Sequence, residues 1–371
     1  MAAAAASRTT TAGKRSVCLC VEDKWGTEWY TLDLSDAGDH EVIACPCFGR
    51  IRHVTQGSPC LLPRAFLPRE DGGSFLGWAV LGGGGQLYAV GGAGNTAPQC
   101  LQTVRGLDLS STCTAGGWVA KPPMLVPRCN PHTATVGGKL YVLGGASDYG
   151  RDPWGEVYDP ESNTWEALPD PPFIPKTGFF SAGLEEEDGC VIILSVLGRV
   201  LMEYSVGAKR WKMCELPVNL YLHTQHSDGP AIAVGRVLYW YSIYTRCLYG
   251  LDLGTHALYA GKLVVNVPDH ENAMLGHLGG QSFFLLHGNY DSTQDEWFHP
   301  APALPDGTTE TKFLHCLKFR VDQCSSTTTG GGGGGGGGAG QKLNIGLESS
   351  QSFVIKYVNN DGPCFVGCVS M

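Results

Sequence analysis

Apolar residues along this chain come in short runs, and each run is closed by Gly, Pro, Asn or Asp. Some runs are small and apolar, as in HTATVGG from His132 and PAIAVG from Pro230. Others alternate aromatic with β-branched or aliphatic residues, as in LYVLGG from Leu140, which ends in Gly-Gly, and LYWYS from Leu238. A third type carries a Tyr-Asp or Leu-Asp step, as in VYDP from Val157 and LDLG from Leu251. A fourth holds a Trp before a Pro-rich exit. Runs of this length, bounded by turn formers and rich in β-branched and aromatic residues, predict strands. The four types recur in the same order. GGGGQLYAVGGA (Gly82 to Ala93) returns as VGGKLYVLGGA (Val136 to Ala146), and Trp118, Trp165 and Trp211 lie 47 and 46 residues apart. A fourth copy, Leu248 to Tyr259, has Tyr in the place of Trp.

A period of that size with four strands per unit marks a repeat array, and short strands with Gly doublets predict a β-propeller. The doublets are expected where neighbouring blades crowd near the ring axis and a Cβ would collide. The repeated Trp residues read as core between blades. Inner strands are predicted near Trp78, Thr133, Phe180, Ala231 and Leu275. The N-terminal unit begins at a second strand, SVCLCVED, continues with WYTLDLS, and takes EVIACP (Glu41 to Pro46) as its fourth. It has no inner strand of its own. CFVGCVSM (Cys364 to Met371) has the inner-strand pattern with nothing after it, so it is expected to complete the first blade and remove an open sheet edge.

A Gly-Gly doublet after an apolar strand, followed by Tyr and Trp at these offsets, resembles the kelch repeat. The units Gly82–Pro122 and Val136–Pro169 carry the pattern best. Those around Trp211 and Tyr259 lack the doublet, and GHLGGQSFFLLHG from Gly276 keeps a fragment. The resemblance implies an all-β fold, a single six-bladed kelch-type β-propeller over residues 17–371. The whole chain is also similar to plant kelch proteins that carry an F-box ahead of the propeller. That likeness implies protein binding, with ubiquitin-ligase components among the partners.

Composition narrows the picture. Of 371 residues 52 are Gly and only 16% are charged, which disfavours a helical bundle, while 9 Trp, 14 Tyr and 13 Phe supply a core. The formal charge of −9 is the wrong sign for a protein that tracks phosphates, so nucleic acid is not an expected partner. No apolar run reaches membrane-spanning length, and no membrane partner is expected. Fifteen irregularly spaced Cys suit a reducing interior, hence a cytoplasmic or nuclear location. Residues 1–16 read as a disordered leader, although their lack of acidic residues also fits a transit peptide. The Gly run from 330 to 338 reads as a disordered loop insertion spanning 325–348.

Candidate chemistry was sought among these elements. Cys18/Cys20 and Cys45/Cys47 are Cys-x-Cys steps on predicted strands, which place each pair on one sheet face, but buried thiols are ordinary in cores. His223 and His226 could share a metal, yet no third ligand is identifiable. Kelch-type specifier proteins carry a Glu-x₃-Asp-x₃-His iron site; here Glu166 and Asp170 are followed by Ile174, which is no ligand. No nucleophile elbow or carboxylate pair stands out. No cofactor or metal is expected, and the chain is read as no enzyme; a metal-dependent enzyme on a kelch propeller is the last alternative.

Strand alternation sorts the connections onto two faces. Those from second to third strand, and from fourth strand to the next blade, share one face and collect the aromatic and basic residues. They include Trp25, Arg64, Arg128 with His132, and Tyr149, Arg151 and Trp154 in ASDYGRDPWG. His223, Tyr244 with Arg246, and Tyr290 follow further along the chain. Such residues dominate interface hot spots. The expectation is a non-catalytic interaction module that binds a protein or peptide, acidic where Arg64, Arg128, Arg151 and Arg246 meet it. The alternative is a ubiquitin-ligase substrate receptor. Against it stand only some sixteen residues ahead of the first strand, too few for an F-box.

Overall fold

The computed structural model describes residues 16–22, 26–34, 41–44, 60–61, 65–68, 75–81, 85–94, 100–109, 117–145, 153–175, 179–185, 189–195, 200–216, 231–243, 245–263, 273–290, 309–323, 341–358 and 364–370. Among them no helix is long and apolar enough to cross a membrane. The described chain is built of strands.

In chain order, β1 (Ser16–Glu22) and β2 (Gly26–Asp33) precede two short strands, β3 (Glu41–Ala44) and β4 (Cys60–Leu61), and then β5 (Ala65–Pro68). Blade 2 comprises β6 (Leu76–Leu81), β7 (Gln86–Gly91), β8 (Val104–Asp108) and β9 (Val119–Ala120). Blade 3 is β10 (His132–Val136), β11 (Lys139–Leu143), β12 (Gly155–Asp159) and β13 (Thr164–Ala167). Blade 4 is β14 (Phe179–Leu184), β15 (Cys190–Ser195), β16 (Val200–Ser205) and β17 (Arg210–Glu215). Blade 5 is β18 (Ile232–Val234), β19 (Val237–Ser242), β20 (Cys247–Asp252) and β21 (Leu258–Lys262). Blade 6 has longer strands: β22 (Ala273–Gly279), β23 (Ser282–Tyr290), β24 (Thr309–Gln323) and β25 (Gln341–Val358). The last strand is β26 (Cys364–Ser370). All five predicted inner strands fall at or beside β6, β10, β14, β18 and β22.

Blade 1 has the order β26-β1-β2-β5. Its inner strand comes from the C-terminus, with Val17 opposite Ser370 and Glu22 opposite Cys364. The closure expected from the sequence is therefore present. The outer place is not taken by the EVIACP segment. β5 fills it, pairing Gly26 with Pro68 and Trp29 with Ala65. β3 instead runs parallel to β25, Glu41 opposite Phe353, and carries β4 on its other edge. A four-residue apolar strand has no local feature that selects one edge over another; the long edge of β25 offers the partner.

A second departure concerns the Gly-rich stretch. β25 begins at Gln341 and pairs along β24, Gln323 opposite Leu343. Residues 341–348 thus belong to a strand, not to the expected insertion of 325–348. Its alternating burial shows why: Leu343 is buried while its neighbours Lys342 and Asn344 are exposed. The Gly run itself lies outside the described residues, as does the leader up to residue 15.

Six apolar clusters sit one at each junction of adjacent blades. Between blades 3 and 4, Tyr141, Leu143 and Trp154 pack with Val191, Ile193, Met202 and Tyr204. Between blades 6 and 1, Phe284, Leu286 and Leu314 pack with Val17, Leu19, Tyr30 and Leu32, so the ring is closed by packing as well as by pairing. The repeated Trp residues are half-buried at the blade edges. Trp165 lies on Tyr158 at 5.1 Å and Trp211 on Tyr204 at 5.0 Å between ring centroids. Each also donates its indole N–H to the preceding connection, Trp165 to the Pro122 carbonyl at 2.9 Å and Trp211 to the Pro169 carbonyl at 2.7 Å. The Trp is thus a strap between blades as well as packing surface.

Candidate functional site

Antiparallel pairing brings the second-to-third-strand turns and the blade-to-blade connections to one face of the ring. Its best described sector spans blades 2 to 4. Here the connection from β9 to β10 is clamped between the ends of two second strands. Gly92 N–H donates to the Arg128 carbonyl at 3.0 Å, and Cys129 N–H donates to the Gly145 carbonyl at 2.8 Å. The Gly doublets make room for this segment. A Cβ on Gly91 would stand 2.4 Å from the Arg128 carbonyl oxygen, and one on Gly145 would stand 2.7 Å from that of Cys129. Both residues also have left-handed φ, 73° and 69°. The doublet therefore admits the incoming connection, rather than relieving crowding at the axis.

Arg128 does not face solvent. Its side chain is wholly buried, and so is that of its partner Glu156, at 2.7 Å from Arg128 Nε. Arg128 Nη1 donates to the carbonyls of Gly144 (2.5 Å) and Trp154 (3.0 Å), and Nη2 donates to that of Pro153 (2.8 Å). Glu156 Oε2 accepts from the Leu125 N–H at 2.6 Å. The assignment of Arg128 to a ligand-binding rim is corrected by this geometry. Its fork is spent on fastening blade 2's exit to blade 3, because a buried guanidinium must be paired and hydrogen-bonded. A sequence reader sees a loop arginine beside prolines; that a glutamate 28 residues later closes over it is a tertiary fact.

Trp154 is corrected in the same way. It is only 5% exposed and packs on Phe179 at 5.5 Å, and its backbone N–H donates to Asp170 Oδ1 at 3.3 Å. Its indole nitrogen is buried with no hydrogen-bond partner. His132 opens β10, half-buried, and lies on the same Phe179 ring at 4.0 Å. Burial pulls its pKa down to about 4, so at neutral pH it is an uncharged packing imidazole. Arg128, His132 and Trp154 are thus brought together, but inward. Arg246 sits in the turn between β19 and β20, half-buried with φ 54°. Tyr290 ends β23 opposite Lys312. Trp25, Arg64, Tyr149, Arg151, His223 and Tyr244 lie outside the described residues.

The described part of the face presents apolar side chains. Among the described residues seven large hydrophobics are exposed, and four of them belong to the connections that enter an inner strand: Phe75 (54%), Leu125 (46%), Phe173 (37%) and Ile174 (44%). Phe75 is held there by its backbone. Its φ is 55°, unusual for an aromatic residue, and its carbonyl accepts from the N–H of Asn130, itself at φ 52°. Leu125 is fixed through Glu156, and its carbonyl accepts from Gln102 Nε2 at 2.8 Å. Leu125, Phe173 and Ile174 had a signal in the sequence: apolar residues inside the Pro-rich exits PPMLVPR and PPFIP, where neither strand period accounts for them. Among the described residues no group of three or more His, Cys, Asp or Glu is placed to hold a metal.

The architecture is that of a β-propeller built of antiparallel blades. Residues 127–172 match the Kelch motif, the stretch that runs from the Arg128 clamp through Glu156 and Trp165 to the exit of blade 3. An F-box/kelch-repeat protein of Arabidopsis thaliana is 44% identical over 156 residues, 42% of this chain and 35% of its own length. A second from the same organism is 40% identical over 91 residues, 20% of this chain and 24% of its own. The aligned stretches span about a third or less of these relatives. The solved structure of YjhT aligns over 59% of this chain and 73% of its own, at 15% identity and a TM-score of 0.40.

Proposed function

We propose that this chain is a non-catalytic protein-binding module, and that its partner docks on the face carrying Phe75, Leu125, Phe173 and Ile174. The observation that carries this reading is their distribution. Four of the seven exposed large hydrophobics among the described residues sit in connections of one face, and the backbones of Phe75 and Leu125 are hydrogen-bonded in place. The other three, Val119, Met213 and Leu347, are scattered on outer strands. Apolar residues displayed on a rigid scaffold are the usual core of an interface, with polar groups around them. Arg246, with Arg64 and Arg151, is assigned to that rim, where it would favour an acidic partner segment; Arg128 takes no part.

The relatives' names support a second reading, in which the propeller selects substrates for a ubiquitin ligase. It uses the same face and adds an adaptor. The test starts with affinity capture by the purified chain, identification of the captured protein, and titration with that protein made recombinantly. Leu125→Ser with Ile174→Ser should weaken binding at least tenfold, about 1.4 kcal/mol, with an unchanged melting curve. Val119→Ser with Met213→Ser should leave it unaltered. Equal affinity for the face variant and the wild type overturns the assignment. Ubiquitin transfer to the captured protein, reconstituted with a Skp-type adaptor, separates the two readings.

A further inference from the structure

Two thiols meet at the edge of the Arg128 clamp. Leu101 and Arg128 form an antiparallel bridge between the β7–β8 connection and the connection into blade 3. One step along that bridge puts Cys100 opposite Cys129. Both are half-buried free cysteines. Both also converge on one acceptor: Cys100 Sγ donates to the Gly145 carbonyl at 3.9 Å, and the Cys129 N–H donates to the same oxygen at 2.8 Å. The two side chains are close enough that Cys100 raises the pKa of Cys129. Directly opposed residues of an antiparallel pair have the Cα and Cβ separations that a disulfide needs. Neither thiol belongs to the apolar clusters at the blade junctions, and the Arg128–Glu156 pair holds the backbone on the Cys129 side fixed.

We propose that Cys100 and Cys129 are a reversible dithiol–disulfide site, oxidised by exchange with a small disulfide such as oxidised glutathione. The Cys100 thiolate attacks one sulfur of glutathione disulfide; the new S–S bond forms as the old one breaks, and one glutathione leaves as thiolate. Cys129 then loses its proton and attacks the Cys100 sulfur, expelling the second glutathione. Two electrons pass from the cysteine pair to the small disulfide, and the two cysteine protons end on the two glutathione thiols. The order follows from the surroundings. Burial, and then the neighbouring Cys100, raise the Cys129 pKa, which keeps it a thiol at neutral pH. A Cys100 in a mixed disulfide carries no charge to oppose the second thiolate.

The product would staple blade 2's second connection to the entry of blade 3, alongside the segment that bears Leu125. The experiment uses the full chain in glutathione buffers of rising oxidised fraction, trapped with iodoacetamide, digested and read by mass spectrometry. A peptide linking Cys100 to Cys129 should accumulate and disappear on adding dithiothreitol. In Cys129→Ser, the same buffers should leave glutathione on Cys100, because nothing resolves it. Alkylation of both residues as free thiols in the most oxidising buffer overturns the proposal. So does a stable glutathione adduct on Cys100 of the wild type, or a link from either residue to another cysteine.

Discussion

The junction of blades 2 and 3 and the junction of blades 5 and 6 both have an apolar cluster, and they differ in what is added to it. Both must hold a sheet against its neighbour in the ring. At the first, a connection is threaded between Gly doublets and locked by a buried Arg128–Glu156 pair, with the Trp165 indole bonded to the Pro122 carbonyl. At the second, Val237, Tyr239 and Leu248 pack on Leu275, Phe283, Leu285 and Phe319, with Tyr239 and Phe283 rings 5.0 Å apart, and the outer strands add a short parallel pairing, Tyr259 opposite Gln341 and Ala260 opposite Lys342. Directional bonds need particular residues at fixed places. Apolar packing needs volume and little else. The Kelch motif match, at 127–172, falls on the first of these junctions.

Breaking the polar junction should have the largest effect. Arg128→Ala leaves the Glu156 carboxylate buried without its partner and should cost about 3–5 kcal/mol in denaturant unfolding. Arg128→Lys should rescue little, since an ammonium cannot span Glu156 and three carbonyls at once. Arg128→Met with Glu156→Leu should cost less than either single change to an apolar residue. A simple sum of the two costs would show that the pair is not coupled.

The apolar junction should respond to volume alone. Phe283→Ala should cost about 3–5 kcal/mol, close to the arginine, whereas Phe283→Leu should stay within roughly 1.5 kcal/mol. The conservative exchange is therefore the informative one: tolerated at Phe283, damaging at Arg128. If Arg128→Lys and Phe283→Leu melted alike, the contrast between the two junctions would fail.

One polar group does sit in the apolar junction, and pH should find it. His287 on β23 is 4% exposed, lies opposite His315 on β24, and its Nδ1 is buried with no hydrogen-bond partner. Burial, and then the nearby His315, pull its pKa down to about 4 from the ordinary 6.5. The unfolded chain therefore binds a proton that the fold refuses between those values. Stability from this residue is full above pH 6.5 and is lost as pH falls to about 4, by roughly 3 kcal/mol. His287→Phe should flatten that part of a pH–stability curve and change little at pH 7.5. An unaltered acid limb would mean that other groups set it.

Much of this architecture could be read in the chain itself. The recurrence of Trp118, Trp165 and Trp211, the Gly doublets and the four strand types specify blades because run length, turn formers and aromatic content are local properties of the chain. Even the closure by Cys364–Ser370 followed from counting, since a blade without an inner strand and a strand without a blade imply each other. Placement that depends on competition between partners was not legible. The segment at Glu41 was read as an outer strand, yet β5 takes that edge, because two short apolar strands differ in nothing that a local pattern records. Arg128 and Trp154 looked like displayed residues because the sequence shows a residue's type and its loop but not what folds over it. Glu156 and Phe179 arrive from the next strands of the ring, and only their arrival turns a loop arginine into a buried clamp. The converse holds at Phe75, Leu125, Phe173 and Ile174. Their apolar character was in the sequence, but exposure is decided by what remains uncovered once every blade has found its neighbour.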